Sequence, residues 1–349
     1  MRQISVASWV LMRLRNYWIS AGPIPAKDEQ IYRFVRILSK SLSRAKMITA
    51  EQIEAQYSFS VVSLAPLPDS SRAWKIESDK GPLVLRLFKL EDAAEHSGEI
   101  AALQFLADSA FPAPRLVAAR DGQIFRQIGA KAGYITSFIP GIHPPSSTDS
   151  AVKLGQMAGR LHALDAVTAG LPDTTFTIAA ERRFFAGLDA DPTVQAWEGY
   201  DEIGDQLGAA WDKLSDLDAA PQTLIHTDIL FENAVLTPAN AITLIDWDGA
   251  GVGPAIQDIG YFFVEQAVSL TGELLALDNV LAFLRGYNTQ RPLSPLEWDL
   301  LPEALIFGAI VYVLAPWNGC IAGGHWLRAR YVLAHSKELR DTLWQGLKE

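Results

Sequence analysis

The chain has 349 residues, 49% of them hydrophobic and 20% charged, enough apolar side chain to bury a sizeable core and to exclude a disordered segment. A formal net charge of −10 argues against a nucleic-acid binder, which needs clustered Lys and Arg to neutralise phosphates. A single cysteine, Cys320, excludes an internal disulfide and a thiolate metal cluster, and the expected setting is reducing and cytoplasmic.

Residues 1–46 differ from the rest. They carry nine Lys/Arg against Asp28 and Glu29, a net +7, which leaves 21 Lys/Arg and 38 Asp/Glu, a net −17, for the remainder. Ile31, Phe34, Val35, Leu38 and Leu42 recur at helical spacing with Arg33, Arg36, Lys40 and Arg44 around the turn, which predicts a basic amphipathic helix. Residues 27–46 therefore suit weak contact with an anionic membrane or a partner, or packing on the acidic body, which is the plainer reading. Thr49-Ala50-Glu51-Gln52 has the pattern of an N-cap and first helical turn, so Met47 is an alternative start. Arg13 and Arg15 interrupt the opening apolar stretch, and the longest apolar run, 304–317, has 14 residues. A bilayer needs ~20, so no integral membrane segment is expected, and this run reads as a buried helix.

From about Tyr57 to Phe88 the pattern is that of strands, at 58–64, 72–77 and 83–88, with turns at Pro66-Leu67-Pro68-Asp69 and Asp79-Lys80-Gly81-Pro82, an antiparallel meander. A helix is expected at 91–107, then strands near 115–119 and 134–138. After Pro140-Gly141 the chain turns mostly helical, beginning at 149–164. The expected organisation is a basic extension (1–46), a β-rich lobe (47–138) and a helical lobe (139–349).

The chemistry is concentrated between Leu224 and Tyr261, in His226-x-Asp228-x4-Asn233 followed by Asp246-Trp247-Asp248. The runs 234–236 and 242–245 flank Thr237-Pro238-Ala239-Asn240-Ala241, a hairpin with a five-residue loop. If Leu236 faces Thr243, the same register puts Asn233 opposite Asp246, and directly opposed residues lie about 5 Å apart. An amide and a carboxylate converging in this way are hard oxygen ligands of the kind Mg²⁺ takes. Asp228, five residues before Asn233, suits a base that accepts or orients a hydroxyl proton while a phosphoryl group arrives in line. Singly these residues also read as turn formers or a helix cap.

The stretch resembles the catalytic-loop signature of the aminoglycoside phosphotransferase superfamily, which includes choline kinases, methylthioribose kinases and a homoserine kinase branch. The resemblance extends from about residue 50 over most of the chain and implies an α+β, two-lobed protein-kinase-like fold. It implies ATP and Mg²⁺ as cofactors, Asp228 as catalytic base, Asn233 and Asp246 as Mg²⁺ ligands and His226 as a structural residue. Asp258 matches the family's buried aspartate that braces the loop, although by itself it reads as the N-cap of a helix starting near Ile259. Leu83 to Leu87 resembles the strand whose basic residue touches the nucleotide phosphates. Arg86 takes that part, Val84 on the same face lies against adenine, Lys89 points the other way, and Glu99 is the helix glutamate that pairs with the basic residue. Tyr134 to Gly141 resembles the inter-lobe linker, with the backbone of Ser137 and Ile139 on the adenine edge. His162 reads as a packing residue.

This chain departs from the family pattern in places. Pro68-Asp69-Ser70-Ser71-Arg72 stands where a Gly-rich phosphate loop is common, Thr227 where Gly is usual, and Phe231-Glu232 where Pro-Gly is common. The expected partner is a small-molecule hydroxyl acceptor: an amino alcohol, a hydroxy amino acid such as homoserine, or an aminoglycoside. Trp317, Asn318, His325, Trp326 and Arg328 are candidates to receive it. The alternatives are a serine/threonine protein kinase of the stress-response type and a non-catalytic nucleotide-binding pseudokinase. Against the first, no extended activation segment separates Asp246 from Asp258.

Overall fold

A computed structural model describes residues 48–348 apart from 68, 69, 71, 196–199, 215 and 315–323. The expected amphipathic helix, the 27–46 contact and the Met47 start lie outside the described residues, as do Trp317 and Asn318. The chain divides into two compact units, one running to Glu95 and resuming over Pro114–Phe138, the other formed by His96–Ala113 with the chain from Ile139 onward.

In the first unit, Thr49 caps helix α1 (Ala50–Glu54) through a capping box with Gln52, which satisfies two orphan amides reciprocally. Strands β1 (Val61–Pro66), β2 (Ala73–Ser78), β3 (Gly81–Lys89), β4 (Leu116–Val117), β5 (Arg126–Ile128) and β6 (Lys131–Ser137) form one antiparallel sheet, ordered β1-β2-β3-β6-β4 with β5 also on β6. Leu83, Leu85 and Leu87 alternate into a core with Ile53, Tyr57, Ile76 and Ile135, and strand parity turns Val84, Arg86 and Phe88 to the other face. The β2–β3 turn works because Gly81 takes φ +104°, a conformation costly for any residue with a Cβ.

The second unit holds α2 (Ser97–Asp108), α3 (Thr148–His162), α4 (Ile178–Asp189), α5 (Pro192–Gln195), α6 (Tyr200–Trp211), α7 (Ala255–Ala267), α8 (Asp278–Asn288), α9 (Pro295–Leu314) and α10 (Gly324–Gly346). It also holds two short antiparallel pairs, β7 (Gln222–Ile225) with β10 (Gly251–Pro254) and β8 (Ala234–Leu236) with β9 (Ile242–Leu244). The sequence reading placed α2 within the 47–138 lobe; in the structure Phe111, just beyond the helix, meets Trp247 edge-on at 6.3 Å, and a Cβ on Gly98 would touch the Ala250 carbonyl. Helices α3 and α8 cross closely enough that a Cβ on Gly155 would strike the Phe283 carbonyl and one on Gly286 the Val152 carbonyl. The apolar run beginning at Ala304 is a core helix, buried from Ala304 to Leu314. No helix among the described residues is long and apolar enough to cross a membrane.

The β8–β9 register corrects one expectation. Leu236 pairs with Ile242 and Ala234 with Leu244, one residue away from the pairing that set Asn233 opposite Asp246. The loop closes through Thr237 N–H to Ala241 O and Asn240 N–H to Thr237 O, with Asn240 left-handed at φ +58°. That turn fixes the register, and Asn233 accepts the Ile245 amide instead.

Candidate active site

Strand β7 delivers the chain into His226-Thr227-Asp228, and a 3₁₀ turn at Phe231–Asn233 leads into β8. Asp228 is 8% exposed, and its Oδ2 accepts the Asn233 side-chain amide at 2.6 Å while its carbonyl accepts the same amide at 3.1 Å. With Nδ2 committed to Asp228, Oδ1 is the atom Asn233 can offer a cation. Asp246 follows β9 with φ +67°, so a left-handed backbone step, and not the sheet ladder, sets where its carboxylate emerges. Thr227, next to Asp228, is left-handed as well, at φ +73°. A β-branched residue is a conformational outlier there, and such strain persists only where the surroundings over-determine it.

Those surroundings are Asp258 and His226. Asp258 is buried in the first turn of α7, where Pro254 holds the N-cap position. The cap expected from sequence is therefore corrected: Asp258 spends its oxygens on the loop, Oδ1 accepting the Thr227 amide at 2.7 Å and Oδ2 accepting the His226 amide at 2.8 Å and His162 Nε2 at 3.0 Å. The His226 ring donates from Nε2 to the Ile245 carbonyl at 3.0 Å and meets Trp247 edge-on at 4.6 Å. Burial pushes its pKa below the ordinary histidine value, which suits a neutral donor that ties the Asp228 loop to the residue before Asp246.

The remaining expected residues are distributed between the units. Arg86 is buried on β3, between Ala73 of β2 and Tyr134 of β6, with its guanidinium 5.9 Å from the Phe88 ring. Val84 pairs with Lys75 and Thr136 on the same strand, and Ser137 Oγ accepts the Arg115 amide at 2.9 Å. Ile139 opens the second unit's main segment. Of the turn standing in for a Gly-rich loop, Ser70 Oγ accepts the amides of Arg72 and Ala73, so this hydroxyl is already engaged by its own turn.

Glu99 lies buried in the first turn of α2, in the second unit, its carboxylate 3.6 Å from His96 Nδ1, with Asp248 3.4 Å from the same nitrogen. Burial alone would lower the His96 pKa, but the two carboxylates outweigh it and the value ends above the ordinary one. Sequence reasoning missed His96 and Asp248 because their meeting joins residues 152 positions apart.

A second cluster lies around Tyr312. Arg328 pairs with Glu265 at 2.5 Å, donates from Nε to the Val268 carbonyl at 2.7 Å, and sits 5.4 Å over the Tyr312 ring. Tyr312 stacks on Tyr261 at 4.4 Å and on His325 at 5.8 Å. Burial raises its hydroxyl pKa far above the usual value, and the charge of Glu265 raises it further. Of the acceptor candidates named from sequence, Trp326, His325 and Arg328 are all buried.

Burial and then the Arg328 charge push the His325 pKa down to about 4. An unfolded histidine takes up a proton below about pH 6.5, whereas the folded one resists until about pH 4. His325 is therefore expected to cost stability progressively as pH falls from 6.5 to 4, on the order of 3 kcal/mol by the end. Urea unfolding at pH 7 and pH 4.5 should show His325→Gln losing less stability on acidification than the wild type; equal losses would count against this assignment.

Comparison with known proteins bears on what this loop does. Residues 63–293 match the phosphotransferase enzyme family. The chain belongs to that family. This phosphotransferase is 25% identical over 268 residues to a homoserine kinase of Hyphomonas neptunium, covering 71% of this chain and 79% of that protein. Its fold is shared with the choline kinase of Streptococcus pneumoniae (TM-score 0.57, 15% identity, 88% of this chain and 99% of that one). It is shared too with an amicoumacin kinase solved in complex with AMP-PNP, Ca²⁺ and Ami (TM-score 0.61, 17% identity, 87% and 95%). As a family member, the phosphotransferase catalyses ATP-dependent phosphoryl transfer to an alcohol of a small molecule.

Proposed function

We propose that Asp228 is the residue that orients and deprotonates the acceptor hydroxyl, with Asn233 and Asp246 holding Mg²⁺ on the ATP phosphates. The observation that carries this reading is the buried Asp228–Asn233 contact on a loop whose backbone Asp258 grips at two successive amides. A divalent cation bound there supplies charge neutralisation on the transferring phosphoryl group. The chain's own contribution is positioning: Asn233 aims the Asp228 carboxylate, and Asp258 and His226 hold the loop against relaxation of the strained Thr227 step. Arg86 and Val84 are the residues of the strand unit proposed for the nucleotide phosphates and adenine, with Glu99 and the backbone of Ser137 and Ile139 in support.

For the acceptor, the reading is a small hydroxy amino acid, homoserine first. Supporting it are the homoserine kinases among the relatives. A protein acceptor is disfavoured because the chain between Asp246 and Asp258 passes straight through β10 into α7, leaving no extended segment to dock a peptide. ADP release with Mg-ATP should be measured across homoserine, choline, methylthioribose, aminoglycosides and a generic protein. Turnover on homoserine that exceeds the other acceptors is the expected result, and turnover confined to choline or an aminoglycoside would overturn the amino-acid assignment.

A further inference from the structure

Behind the loop, a chain of buried hydrogen bonds continues past Asp258. His162, the last residue of α3, uses both ring nitrogens: Nε2 meets Asp258 Oδ2 at 3.0 Å and Nδ1 meets the Tyr287 hydroxyl of α8 at 3.0 Å. Arg291 donates from Nη1 to the same hydroxyl at 2.8 Å and pairs through Nη2 with Glu297 at 2.8 Å. Glu297, in the first turn of α9, is itself fixed by the amide and hydroxyl of Ser294 at 2.9 and 2.8 Å. Four helices thus meet at one line of polar atoms that ends on the backbone of His226 and Thr227.

The direction of every proton in this line follows from donor chemistry. A guanidinium only donates, so the Tyr287 oxygen accepts from Arg291 and its single O–H is left to donate to His162 Nδ1. Nε2 then carries the ring's proton and donates it to Asp258. An Nδ1–H on His162 would point at the Tyr287 oxygen alongside the Arg291 donor and leave the tyrosine's own proton without an acceptor at a fully buried site, at a cost of a buried unsatisfied group. Burial keeps the Tyr287 pKa raised, in accord with a retained O–H.

We propose that Tyr287 and Arg291 are positioning residues for the Asp228 loop, clamping the neutral His162 ring so that its Nε2–H holds Asp258 onto the amides of His226 and Thr227. The proposal rests on the reading of that loop as the catalytic one. Neither residue reaches the loop directly. Their effect passes through the His162 ring, whose orientation is fixed only while both nitrogens are bonded.

The test uses full-length protein labelled with ¹⁵N-histidine for the rings and uniformly with ¹⁵N for the amides; the chain has six histidines, and loss of a signal in His162→Gln assigns the one that matters. Long-range ¹H–¹⁵N spectra should show a protonated Nε2 and a hydrogen-bonded Nδ1 in the wild type. Tyr287→Phe should move the Nδ1 resonance and speed amide exchange at His226 and Thr227 about fivefold or more, as one lost hydrogen bond would. It should also lower kcat about fivefold to tenfold while KM for Mg-ATP stays within about twofold. Arg291→Met, at a side chain 18% exposed, should reproduce these changes in weaker form if Tyr287→Phe fails to fold, and Arg291→Lys, which keeps a donor, should restore them toward wild type. An unmoved Nδ1 resonance, or unchanged exchange at both amides, overturns the proposal. A wild type that turns over no acceptor would count against the catalytic reading instead, while resonance and exchange still decide the clamp.

Discussion

Asp228→Asn is expected to lower kcat about a thousandfold, within the range of roughly 10²–10⁴ that a positioned general base contributes, with Mg-ATP affinity within about threefold of wild type. The asparagine keeps the shape of the side chain and an oxygen that can still accept the Asn233 amide now bonded at 2.6 Å, so the loop should hold its conformation. What is lost is the carboxylate's capacity to take or orient the acceptor's proton. Single-turnover phosphorylation of the responding acceptor, paired with nucleotide binding by calorimetry, separates the two effects. A kcat within tenfold of wild type would remove Asp228 from the chemistry, and a large loss of nucleotide affinity would reassign it to metal or phosphate binding.

The second large effect is expected in stability. Asp258→Ala removes one acceptor group and strands three buried donors, the amides of His226 and Thr227 and Nε2 of His162. Each stranded donor costs about 1–3 kcal/mol, so a total of about 3–5 kcal/mol is expected even with partial relaxation, a large share of the roughly 5–15 kcal/mol that holds a folded protein together. A helix N-cap, the role the sequence suggested for this position, would cost only about 1 kcal/mol on removal. Equilibrium urea unfolding therefore discriminates between the two roles by magnitude alone, and a loss near 1 kcal/mol would refute the brace. Asp258→Asn should fall between, because one amide oxygen can still accept while its NH₂ faces a donor.

Much of the candidate site was legible in the sequence because its parts lie close together along the chain. Asp228, Asn233 and Asp246 sit within twenty residues, and the alternation of residues 234–236 and 242–245 already marks a hairpin between the last two. The register was not legible, because it depends on one backbone step: Asn240 adopting a left-handed conformation closes the turn one residue earlier and leaves Asn233 facing Ile245. Asp246 reaches its place by its own left-handed step, which periodicity cannot reveal. The same holds for β7 with β10, whose pairing joins segments nearly thirty residues apart through four-residue strands too short to carry a pattern.

The long-range polar contacts were hidden for a related reason. His162 has the sequence signature of a packing histidine on an apolar helix face, and no local pattern marks Tyr287 as its partner. Only the close crossing of α3 and α8, made possible by Gly155 and Gly286, brings the ring and the hydroxyl within 3.0 Å. By itself the sequence determined the α+β composition, the strand-then-helix order, the exclusion of an internal disulfide and of a thiolate metal cluster, and which acidic and amide residues are candidates for the site. These follow from residue type and local spacing, on which side-chain chemistry and secondary structure directly depend. The tertiary structure alone decided the hairpin register, the conversion of Asp258 from cap to brace, and the clustering of His96 with Asp248 and of Glu265 with Arg328. Each of those depends on which buried donors and acceptors remain unpaired once the helices have packed, a question that only three-dimensional proximity answers.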